Sequence, residues 1–372
     1  MEIYIHIPFC VRKCAYCDFL SFPSSTRVQE EYVRALCEEI RQIPPADKEP
    51  VSSIFVGGGT PSVLEPGLLS RIFSELHRSF SIHQTAEITV EANPGTLSRA
   101  KLKALSDAGC NRLSLGLQSP EPARLKALGR IHTWEDYLSS LQMAEEAGFS
   151  NINTDLMFAL PGQTLSEWEA ALSKTAGLGL AHISAYSLIL EEDTPLAKDA
   201  AALALLPDED TEYRMYDLTA QILESFGYHR YEISNYALPD RICRHNMGYW
   251  THVPYLGLGL GAASYLHHTR FANTTDLSEY LSARGNPGLL RRNITVLDRT
   301  DEMAERMILG LRLTEGVRRS SFVRDFGSAA WEHYCRRLKR YEAMGFLVIT
   351  RDRIRLTGPG IHVSNTIMAD CL

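Results

Sequence analysis

The sequence predicts an α/β fold: a partial (β/α)6-type barrel, then an α/β extension, then a small winged-helix-like C-terminal module. Strand-like runs alternate with helical patterns through the first half of the 372 residues. Repeated strand–helix units favour a parallel sheet with right-handed crossovers. The last part of the chain instead shows helical patterns followed by a hairpin signal. A flat, doubly wound sheet stays open as an alternative to the barrel.

Six runs are predicted to form the strands of the barrel. The first alternates isoleucines with polar residues, and a period of two places these sets on opposite faces of a strand. We therefore expect the isoleucines to pack under the helices and Tyr4 and His6 to face the barrel interior, as in a strand that lines a ligand cavity. The predicted strands cover residues 2–9, 53–57, 86–91, 112–118, 151–160 and 182–190.

The segments between these strands carry helical patterns with recognisable ends. Residues 27–43 place apolar side chains on one stripe, with Thr26 as the predicted N-cap. Two further helices, over residues 101–108 and 134–147, are predicted to end at Gly109 and Gly148.

The C-terminal part combines helices with one hairpin. Helical patterns over residues 301–313, 320–326 and 330–344 precede a hairpin of 346–350 with 353–357 and a short terminal helix. We therefore divide the chain into a barrel over residues 1–195, an α/β extension over 196–294 and the winged-helix-like module over 295–372.

Composition and charge exclude several classes of protein. Hydrophobic residues make up 45% and charged residues 22% of the chain, which is typical of a globular protein. The net charge of −7 argues against broad coating of nucleic acid. Residues 291–356 carry 15 Lys and Arg against 9 Asp and Glu, which raises an RNA-modifying enzyme as an alternative. Those basic residues lie among acids on helices without a run of aromatics, so solvated helix faces are favoured and no nucleic-acid partner is expected.

No targeting or membrane-spanning segment is recognisable. The apolar run near the amino terminus is interrupted by polar residues and is followed by Arg12, Lys13 and cysteines, unlike a signal peptide. The longest stretch without acidic or basic residues, 245–269, contains four histidines, one proline and four glycines, which disfavours a membrane helix. The expected location is the cytoplasm, where thiols stay reduced.

Three of the eight cysteines, Cys10, Cys14 and Cys17, form C-x3-C-x2-C directly after the first strand. Three thiolates on one short loop can hold three corners of a four-iron cluster. The fourth iron is then free to bind a ligand that is not protein. A zinc site with His6 as the fourth ligand is the alternative, and the spacing favours the cluster.

Glycines and polar residues follow the predicted strands. Gly57-Gly58-Gly59-Thr60-Pro61 ends the second strand, and glycines let a ligand approach the backbone amides. Glu91, Gln118 and Asp155 end or lie in later strands, and Arg130 follows the fourth. Each alone is more often a solvated or capping group. Together they place polar groups near the carboxyl ends of successive strands, where barrel active sites are built.

The run from Ile5 to Phe19, IHIPFCVRKCAYCDF, resembles the radical S-adenosylmethionine (SAM) superfamily. More narrowly, the chain resembles the group that contains oxygen-independent coproporphyrinogen oxidases and HemW-type haem chaperones, over nearly its whole length. The resemblance implies a [4Fe–4S] cluster on the three cysteines, SAM chelated to the open iron through its amine and carboxylate, and an electron donor for the cluster. The difficult chemistry belongs to the cofactor, which the protein positions and shields.

The resemblance also assigns residues to SAM. It implies that Tyr4 and Glu91 contact the SAM on the cluster, and that the glycine turn receives the methionine end of this molecule. Further positions match residues that contact a second SAM in the oxidases, although they could equally serve a single molecule. These positions are Tyr16, Gly58, Gly59, Thr60, Gln118, Arg130 and Asp155.

Two departures separate the chain from the oxidases. The oxidase pattern has a fourth cysteine one residue after the third, where this chain has Phe19. The oxidases also carry an amino-terminal extension, whereas nine residues precede Cys10 here. Porphyrinogen decarboxylation is therefore not expected, and an oxidase-like radical SAM enzyme is kept as the alternative.

The segment His245-Asn246-Met247-Gly248-Tyr249-Trp250 matches the H-N-x-x-Y-W signature of HemW-like proteins. Imidazole is a good axial ligand for haem iron, and Tyr and Trp can flank a flat macrocycle. His245 is therefore the expected haem ligand, with Cys243 and His252 as rivals. The resemblance implies a chaperone that binds haem and passes it to acceptors such as respiratory proteins, which places the protein in the cytoplasm or at the surface of the inner membrane.

Overall fold

Six parallel strands, adjacent in chain order, form the centre of the computed structural model, which describes all 372 residues apart from the side chain of residue 46. Each strand pairs in parallel with the next one along the chain, and the order never reverses. A doubly wound sheet requires a reversal of strand order, so that alternative is wrong. The six strands are β1 (Glu2–Ile7), β2 (Val51–Gly58), β3 (Ile82–Ala92), β4 (Arg112–Gln118), β5 (Ile152–Phe158) and β6 (His182–Ser187).

Helices connect these strands as right-handed crossovers do in repeated β–α units. They are α1 (Thr26–Gln42), α2 (Pro66–Ser79), α3 (Arg99–Asp107), α4 (Pro122–Ala127), α5 (Trp134–Glu146) and α6 (Leu165–Ala176). Short 3₁₀ turns lie at Pro45–Asp47, Pro61–Val63 and Leu196–Lys198. Because every crossover advances the chain in the same direction, the carboxyl ends of all six strands lie along one edge.

Further strands extend the sheet at both ends, so the barrel is partial. Beyond β6 the sheet continues with an antiparallel strand, whereas beyond β1 it continues with one parallel strand and then antiparallel ones. The added strands are β7 (His229–Arg230), β8 (Asn235–Ala237), β9 (Tyr255–Leu258), β10 (Ala263–Leu266), β11 (Thr269–Asn273) and β12 (Arg291–Val296). The helices of this part are α7 (Ala200–Leu203), α8 (Glu209–Ser225), α9 (Arg244–Trp250), α10 (Leu277–Ser282) and α11 (Pro287–Leu290).

The C-terminal part has a three-stranded sheet and a hydrophobic core of its own, in which Phe322, Trp331 and Ile354 are buried. Its elements are α12 (Arg299–Leu311), β13 (Val317–Arg318), α13 (Arg319–Phe326), α14 (Ser328–Arg337), α15 (Lys339–Ala343), β14 (Leu347–Ile349), β15 (Arg353–Leu356), α16 (Gly358–His362) and α17 (Ser364–Ala369). The predicted hairpin is present as the antiparallel pair β14–β15. The division of the chain at residues 195 and 294 stays a prediction.

Two local predictions are wrong. The N-cap of α1 is Ser25, whose hydroxyl accepts a hydrogen bond from the Val28 amide, and Thr26 is already the first helical residue. The predicted helix over residues 330–344 is two helices, because the chain leaves regular helical geometry at Leu338. The helix-stop glycines are confirmed, since Gly109 and Gly148 have positive φ angles of 85° and 93°.

In the described residues no helix has both the length and the apolar character needed to cross a membrane.

The alternation of β1 is confirmed on its helix-facing side. Ile3, Ile5 and Ile7 are fully buried in the main core. On the other face the Tyr4 hydroxyl donates a hydrogen bond to Nδ1 of His6 at 3.0 Å. The first strand therefore has an apolar face that packs in the main core and a polar face on the other side.

Replacing Leu115 of β4, which is fully buried in the main core, tests how much this helix-facing layer stabilises the fold. Leu115→Ala should lower the free energy of unfolding by about 2–5 kcal/mol, because it removes buried methyl groups and leaves a cavity. Urea unfolding of the metal-free protein measures the change. Leu289→Ala is the matched control, since that side chain is 56% exposed, and its effect should stay within about 0.5 kcal/mol.

Candidate functional site

The three predicted cluster cysteines lie on a loop, residues 10–19, that we call the cysteine loop. Backbone hydrogen bonds join the residues on either side of this loop. The Cys10 amide donates to the carbonyl of Phe22 at 3.2 Å, and the Phe22 amide donates to the carbonyl of Pro8 at 2.9 Å. These bonds hold the loop against the carboxyl end of β1.

The middle of the cysteine loop is attached to two distant parts of the barrel. The Ala15 amide donates to the Leu128 carbonyl at 3.0 Å, and the Ala15 carbonyl accepts from the Leu196 amide at 2.9 Å. Leu128 follows β4 and Leu196 follows β6. The loop therefore spans from the first strand to the last strands of the parallel series.

A cavity of about 560 Å³ lies beneath this loop, inside the barrel. All three cysteines line it, and so do most of the residues that the sequence assigned to SAM. The predicted residues that line it are Tyr16, Gly58, Gly59, Thr60, Glu91, Gln118, Arg130 and Asp155. Tyr4 and His245 do not.

The three thiols are free and partly exposed. Sγ of Cys10 lies 3.4 Å from the Thr60 hydroxyl, and Sγ of Cys14 accepts a hydrogen bond from Arg130 at 3.6 Å. Burial raises the pKa of the Cys17 thiol. Three reduced thiols on one cavity, with a guanidinium beside them, form a donor set that fits an iron–sulfur cluster, since thiolates are its ligands and a cation compensates their charge.

In the structure, His6 is not available as the fourth ligand of the alternative zinc site. His6 uses both ring nitrogens, Nδ1 with the Tyr4 hydroxyl at 3.0 Å and Nε2 with the Leu20 carbonyl at 2.8 Å. Burial lowers the pKa of His6, so its ring is neutral and donates once and accepts once. Across the described side chains, no three or more His, Cys, Asp or Glu groups, the three cysteines included, are arranged around a site for a single metal ion.

The glycine turn after β2 lines the cavity, and its role in receiving the methionine end of SAM stays a prediction. Its amides are already used within the protein: Gly58 donates to the Glu91 carboxyl at 3.1 Å, and Gly59 and Thr60 donate to backbone carbonyls at 2.9 and 2.8 Å. Gly58 has a φ of 108°, and a Cβ there would lie 2.5 Å from the His6 ring. The glycines therefore let β1 and Glu91 approach the turn closely, rather than leaving amides open to a ligand.

Two carboxyl groups, of Glu91 and Asp155, line the cavity. Enclosure by protein, and to a lesser extent the negative charge of Asp155, raises the pKa of Glu91 to about 8. Burial also raises the pKa of Asp155, which accepts a hydrogen bond from Asn153 at 2.8 Å. Glu91 is therefore largely protonated at neutral pH although the charge of Arg112 opposes the shift, and a cationic ligand would favour its ionised form.

Arg130 connects three parts of the cavity wall. Besides Cys14, its guanidinium donates to the Asn93 side chain at 2.8 Å and to the carbonyl of Gly116. A Cβ on Gly116 would lie 2.8 Å from both Arg130 and Asn93, so only glycine leaves room for this arrangement. Nε of Arg130 is buried without a hydrogen-bond partner in the described part of the chain.

Backbone strain is present at the end of β4. Gln118 has a φ of 68°, a left-handed conformation that costs free energy in any residue other than glycine. Its side-chain oxygen accepts a hydrogen bond from Tyr186 at 3.1 Å. The strained backbone thus coincides with a cavity-lining side chain, as is typical of functional sites.

Tyr4 reaches the cavity only through a neighbour. Its ring stacks against Phe55 with centroids 6.4 Å apart, and Phe55 lines the cavity. Tyr4 therefore lies behind an aromatic ring that lines the cavity, and its contact with SAM stays a prediction.

His245 is 1% exposed and lies between other side chains. Its Nδ1 bonds to the Ser53 hydroxyl at 2.8 Å, its Nε2 bonds to the Tyr249 hydroxyl at 3.1 Å, and its ring stacks on Phe55. Burial lowers its pKa to about 3. No ring nitrogen of His245 is free in this arrangement, because α9 packs across the end of the barrel.

Both rival ligands also have partners within the protein. Cys243 is fully buried and donates to the Glu87 carboxylate at 3.5 Å, and burial raises its pKa to about 12. His252 bonds to Glu305 at 3.2 Å and stacks on Tyr265.

Part of the cavity wall is polar, and the sequence analysis did not predict it. Arg112 is 2% exposed, faces the cavity and has an Nε without a partner among the described groups. The signal was present in β4, RLSLGLQ, where every second residue lines the cavity and the leucines between them are buried. Other missed lining residues are Asn153, Ser184, Asn235 and Asn246.

A parallel, partial barrel with three free cysteines on a loop at its carboxyl edge defines the class of radical SAM proteins. The family model of the radical SAM superfamily matches residues 4–174, and the model of the HemN C-terminal domain matches residues 297–363. The chain belongs to the HemW family within this superfamily. It is 37% identical to the heme chaperone HemW of Lactococcus lactis over 98% of this chain and 95% of that protein, and 36% identical to the heme chaperone HemW of Bacillus subtilis over 98% and 97%.

Among solved structures, the chain is similar to coproporphyrinogen III oxidase (HemN) from Escherichia coli. The TM-score is 0.86 at 24% identity, covering 100% of this chain and 89% of that one. At this identity the likeness shows a common fold. The superfamily uses a [4Fe–4S] cluster and SAM, and Cys10, Cys14 and Cys17 are the residues that would hold the cluster here.

Cys14→Ser tests the cluster assignment. After anaerobic reconstitution with iron and sulfide, the wild-type chain should show the broad absorbance of a four-iron cluster, and the variant should lose most of its iron because one thiolate ligand is gone. Iron analysis and visible absorbance measure this. Cys335→Ser is the matched control, a partly exposed cysteine of the C-terminal part that should keep full iron content. Stoichiometric zinc in place of iron would contradict the assignment.

Glu91→Gln tests the electrostatics of the cavity. Since the pKa of Glu91 is raised above its unfolded value, the stability linked to its protonation is present at low pH and is lost as the pH rises from about 4.5 towards 8. Glutamine removes this titration, so the variant should gain on the order of 1–3 kcal/mol relative to wild type between these limits. Urea unfolding of the metal-free proteins across this pH range measures the difference, with the exposed Glu332→Gln as control. A constant difference between wild type and Glu91→Gln would contradict the expectation.

Proposed function

We propose that the protein is a haem chaperone that binds haem, carries a [4Fe–4S] cluster with SAM in the cavity, and delivers haem to acceptor proteins. The observation that carries the proposal is the similarity to two proteins named heme chaperone HemW over nearly the full length of both partners. The cavity beneath the cysteine loop supports the part of the proposal that concerns the cluster and SAM.

The cysteines and their neighbours would have different roles at the cluster. Cys10, Cys14 and Cys17 would each bind one iron, and the remaining iron would face the cavity. Arg130 would stabilise the electron-rich cluster, because it already donates a hydrogen bond to Cys14. When bound, the cluster supplies one-electron chemistry to SAM, and the chain's own residues hold and shield the pair.

The two cavity carboxyl groups suit a cationic ligand. SAM carries an ammonium and a sulfonium group, and Glu91 and Asp155 both line the cavity with raised pKa values, so a cationic ligand would favour their ionised forms. Residues proposed to contact one SAM molecule, or two, are Tyr16, Gly58, Gly59, Thr60, Gln118, Arg130 and Asp155, with Tyr4 acting through Phe55.

Porphyrinogen decarboxylation is not proposed. The likeness to HemN concerns the fold, and the position of the oxidases' fourth cysteine is taken by Phe19, whose side chain is 68% exposed. A phenyl ring cannot ligate iron or take part in proton transfer.

Partners and location follow from the proposal. Acceptors would be respiratory haem proteins, reached in the cytoplasm or at the surface of the inner membrane, and a separate electron donor would reduce the cluster. No part of the proposal requires nucleic acid.

Haem binding and transfer are tested together on the anaerobically reconstituted protein. Added haemin should produce a shifted Soret band at about one equivalent, and a haem-free acceptor should then take up the haem faster than from free haemin. Incubation with coproporphyrinogen III, SAM and reductant is the parallel assay, and it should yield no decarboxylated product. Clear product without haem transfer would replace the proposal with the oxidase alternative.

A further inference from the structure

Three buried polar side chains meet beneath α9, and none of them lines the cavity. They are Glu2 of β1, Ser53 of β2 and His245 of α9, which are 3%, 1% and 1% exposed. Glu2 and Ser53 are direct partners in the parallel pair β1–β2, so their side chains leave the sheet on the same face. The register of the two strands therefore places a carboxyl group and a hydroxyl group side by side under one imidazole.

The two sheet residues both lie close to Nδ1 of His245. Oγ of Ser53 is 2.8 Å from this nitrogen, and Oε2 of Glu2 is 3.7 Å from it. Oε2 of Glu2 is buried without a hydrogen-bond partner among the described groups. Since burial of an unpaired polar atom is costly, such an atom calls for an explanation. Its place beside the imidazole gives one, because it adds a second acceptor near Nδ1.

Two carboxyl groups contact α9, and they do so in different ways. The backbone amides of Arg244 and His245 donate to the Glu87 carboxyl at 3.0 and 3.2 Å, which fixes the start of the helix. Glu2 lies farther along, where a Cβ on Gly248 would collide with its carboxyl. Only a glycine at position 248 lets the helix lie directly on this group. Glu87 thus holds the backbone of α9, whereas Glu2 faces the imidazole of His245.

The other ring nitrogen of His245 is covered by a side chain near the surface. Nε2 bonds to the hydroxyl of Tyr249 at 3.1 Å, and Tyr249 is partly exposed. The Tyr249 ring packs edge-on against His245 and Tyr255, with centroids 4.9 and 4.7 Å apart. Rotation of this one side chain would uncover Nε2. Uncovering Nδ1 would instead require the whole helix to leave the sheet.

We propose that Glu2 and Ser53 are positioning residues for haem binding, which keep Nδ1 of His245 protonated and directed at the sheet so that Nε2 binds the haem iron. The Tyr249 side chain moves aside to admit the iron. The inference rests on the proposed haem-binding function and on His245 as the expected ligand. A histidine that binds a metal through one nitrogen donates its other N–H to a nearby acceptor, which fixes the ring and makes it a stronger ligand. No proton is released, because neutral imidazole binds iron through Nε2 while Nδ1 keeps its hydrogen.

Resonance Raman spectroscopy of the reduced, haem-loaded full-length protein tests the positioning role. Ser53→Ala and Glu2→Gln should each lower the iron–histidine stretching frequency, because the ring becomes a weaker ligand, and each should bind haemin about 10–100-fold more weakly. Ser53→Thr keeps the hydroxyl and should keep the wild-type frequency. A residue that only fills space would not show this pattern. If Ser53→Ala fails to fold, Glu2→Gln carries the test, since it preserves the shape of the side chain.

Two matched controls accompany these variants. Ser264→Ala removes another fully buried hydroxyl, which bonds to the Gly257 amide at 2.9 Å, and it should leave the frequency and the haemin affinity unchanged. Glu87→Gln alters the other carboxyl group beneath α9. Its bound haem should keep the wild-type frequency, because Glu87 bonds to the backbone of the helix.

Tyr249→Phe tests the side chain that covers Nε2. The variant loses the hydroxyl that competes with iron and keeps the ring, so it should bind haemin about three- to tenfold more tightly. Tyr255→Phe is the control, since this hydroxyl bonds to Arg270 at 3.3 Å, and its affinity should stay within about twofold of wild type. Weaker binding in Tyr249→Phe would contradict the displacement of this side chain.

The outcomes separate the inference from the function on which it rests. A wild-type protein that binds no haemin overturns the haem-binding function itself. A wild-type protein that binds haemin equally well after His245→Ala overturns the ligand, and with it the positioning roles, while the function stands. Wild-type stretching frequencies in both Ser53→Ala and Glu2→Gln overturn the positioning roles alone.

Discussion

The attachment of the cysteine loop at Ala15 is the constraint on which the rest of the site depends. One residue makes two backbone hydrogen bonds, through its N–H to a segment after β4 and through its C=O to a segment after β6. These bonds bring a loop that follows the first strand over the ends of the last ones. Because backbone groups make them, they do not depend on the side chain at position 15. The cavity, its mouth and the relative positions of the three thiols all follow from this attachment.

The interior beneath the loop is polar, and polarity inside a barrel is costly unless each group finds a partner. Several groups do so where a glycine leaves room. Gly58 gives space to His6, Gly116 gives space to Arg130, and a Cβ on Gly248 of α9 would collide with the Glu2 carboxyl. Three buried side-chain atoms without a partner among the described groups, Nε of Arg112, Nε of Arg130 and Oδ1 of Asn235, belong to residues that line the cavity. A ligand in the cavity could supply partners for these three atoms.

The sequence was sufficient for the fold and for the cluster loop, because both depend on local patterns. Period-two alternation identified the strands, β4 to the residue, and cysteine spacing identified the loop. The geometry around the site was less predictable, because a motif specifies residue types and not the direction in which each side chain points. The glycine turn has its amides bonded within the protein, and the histidine of the H-N-x-x-Y-W segment is buried while the adjacent asparagine lines the cavity. No local pattern predicts contacts between α9 and β2, since about 190 residues separate Ser53 from His245.

Phe55 lies at the junction of several of these features. One face of its ring is within stacking distance of Tyr4, His245 stacks on it as well, and its edge reaches the cavity wall. Missense alleles at Tyr4, Phe55 or His245 would consequently produce similar phenotypes in a genetic screen, even though only the middle residue borders the cavity. Clustering of such alleles would indicate one shared aromatic stack rather than three residues with independent chemical roles.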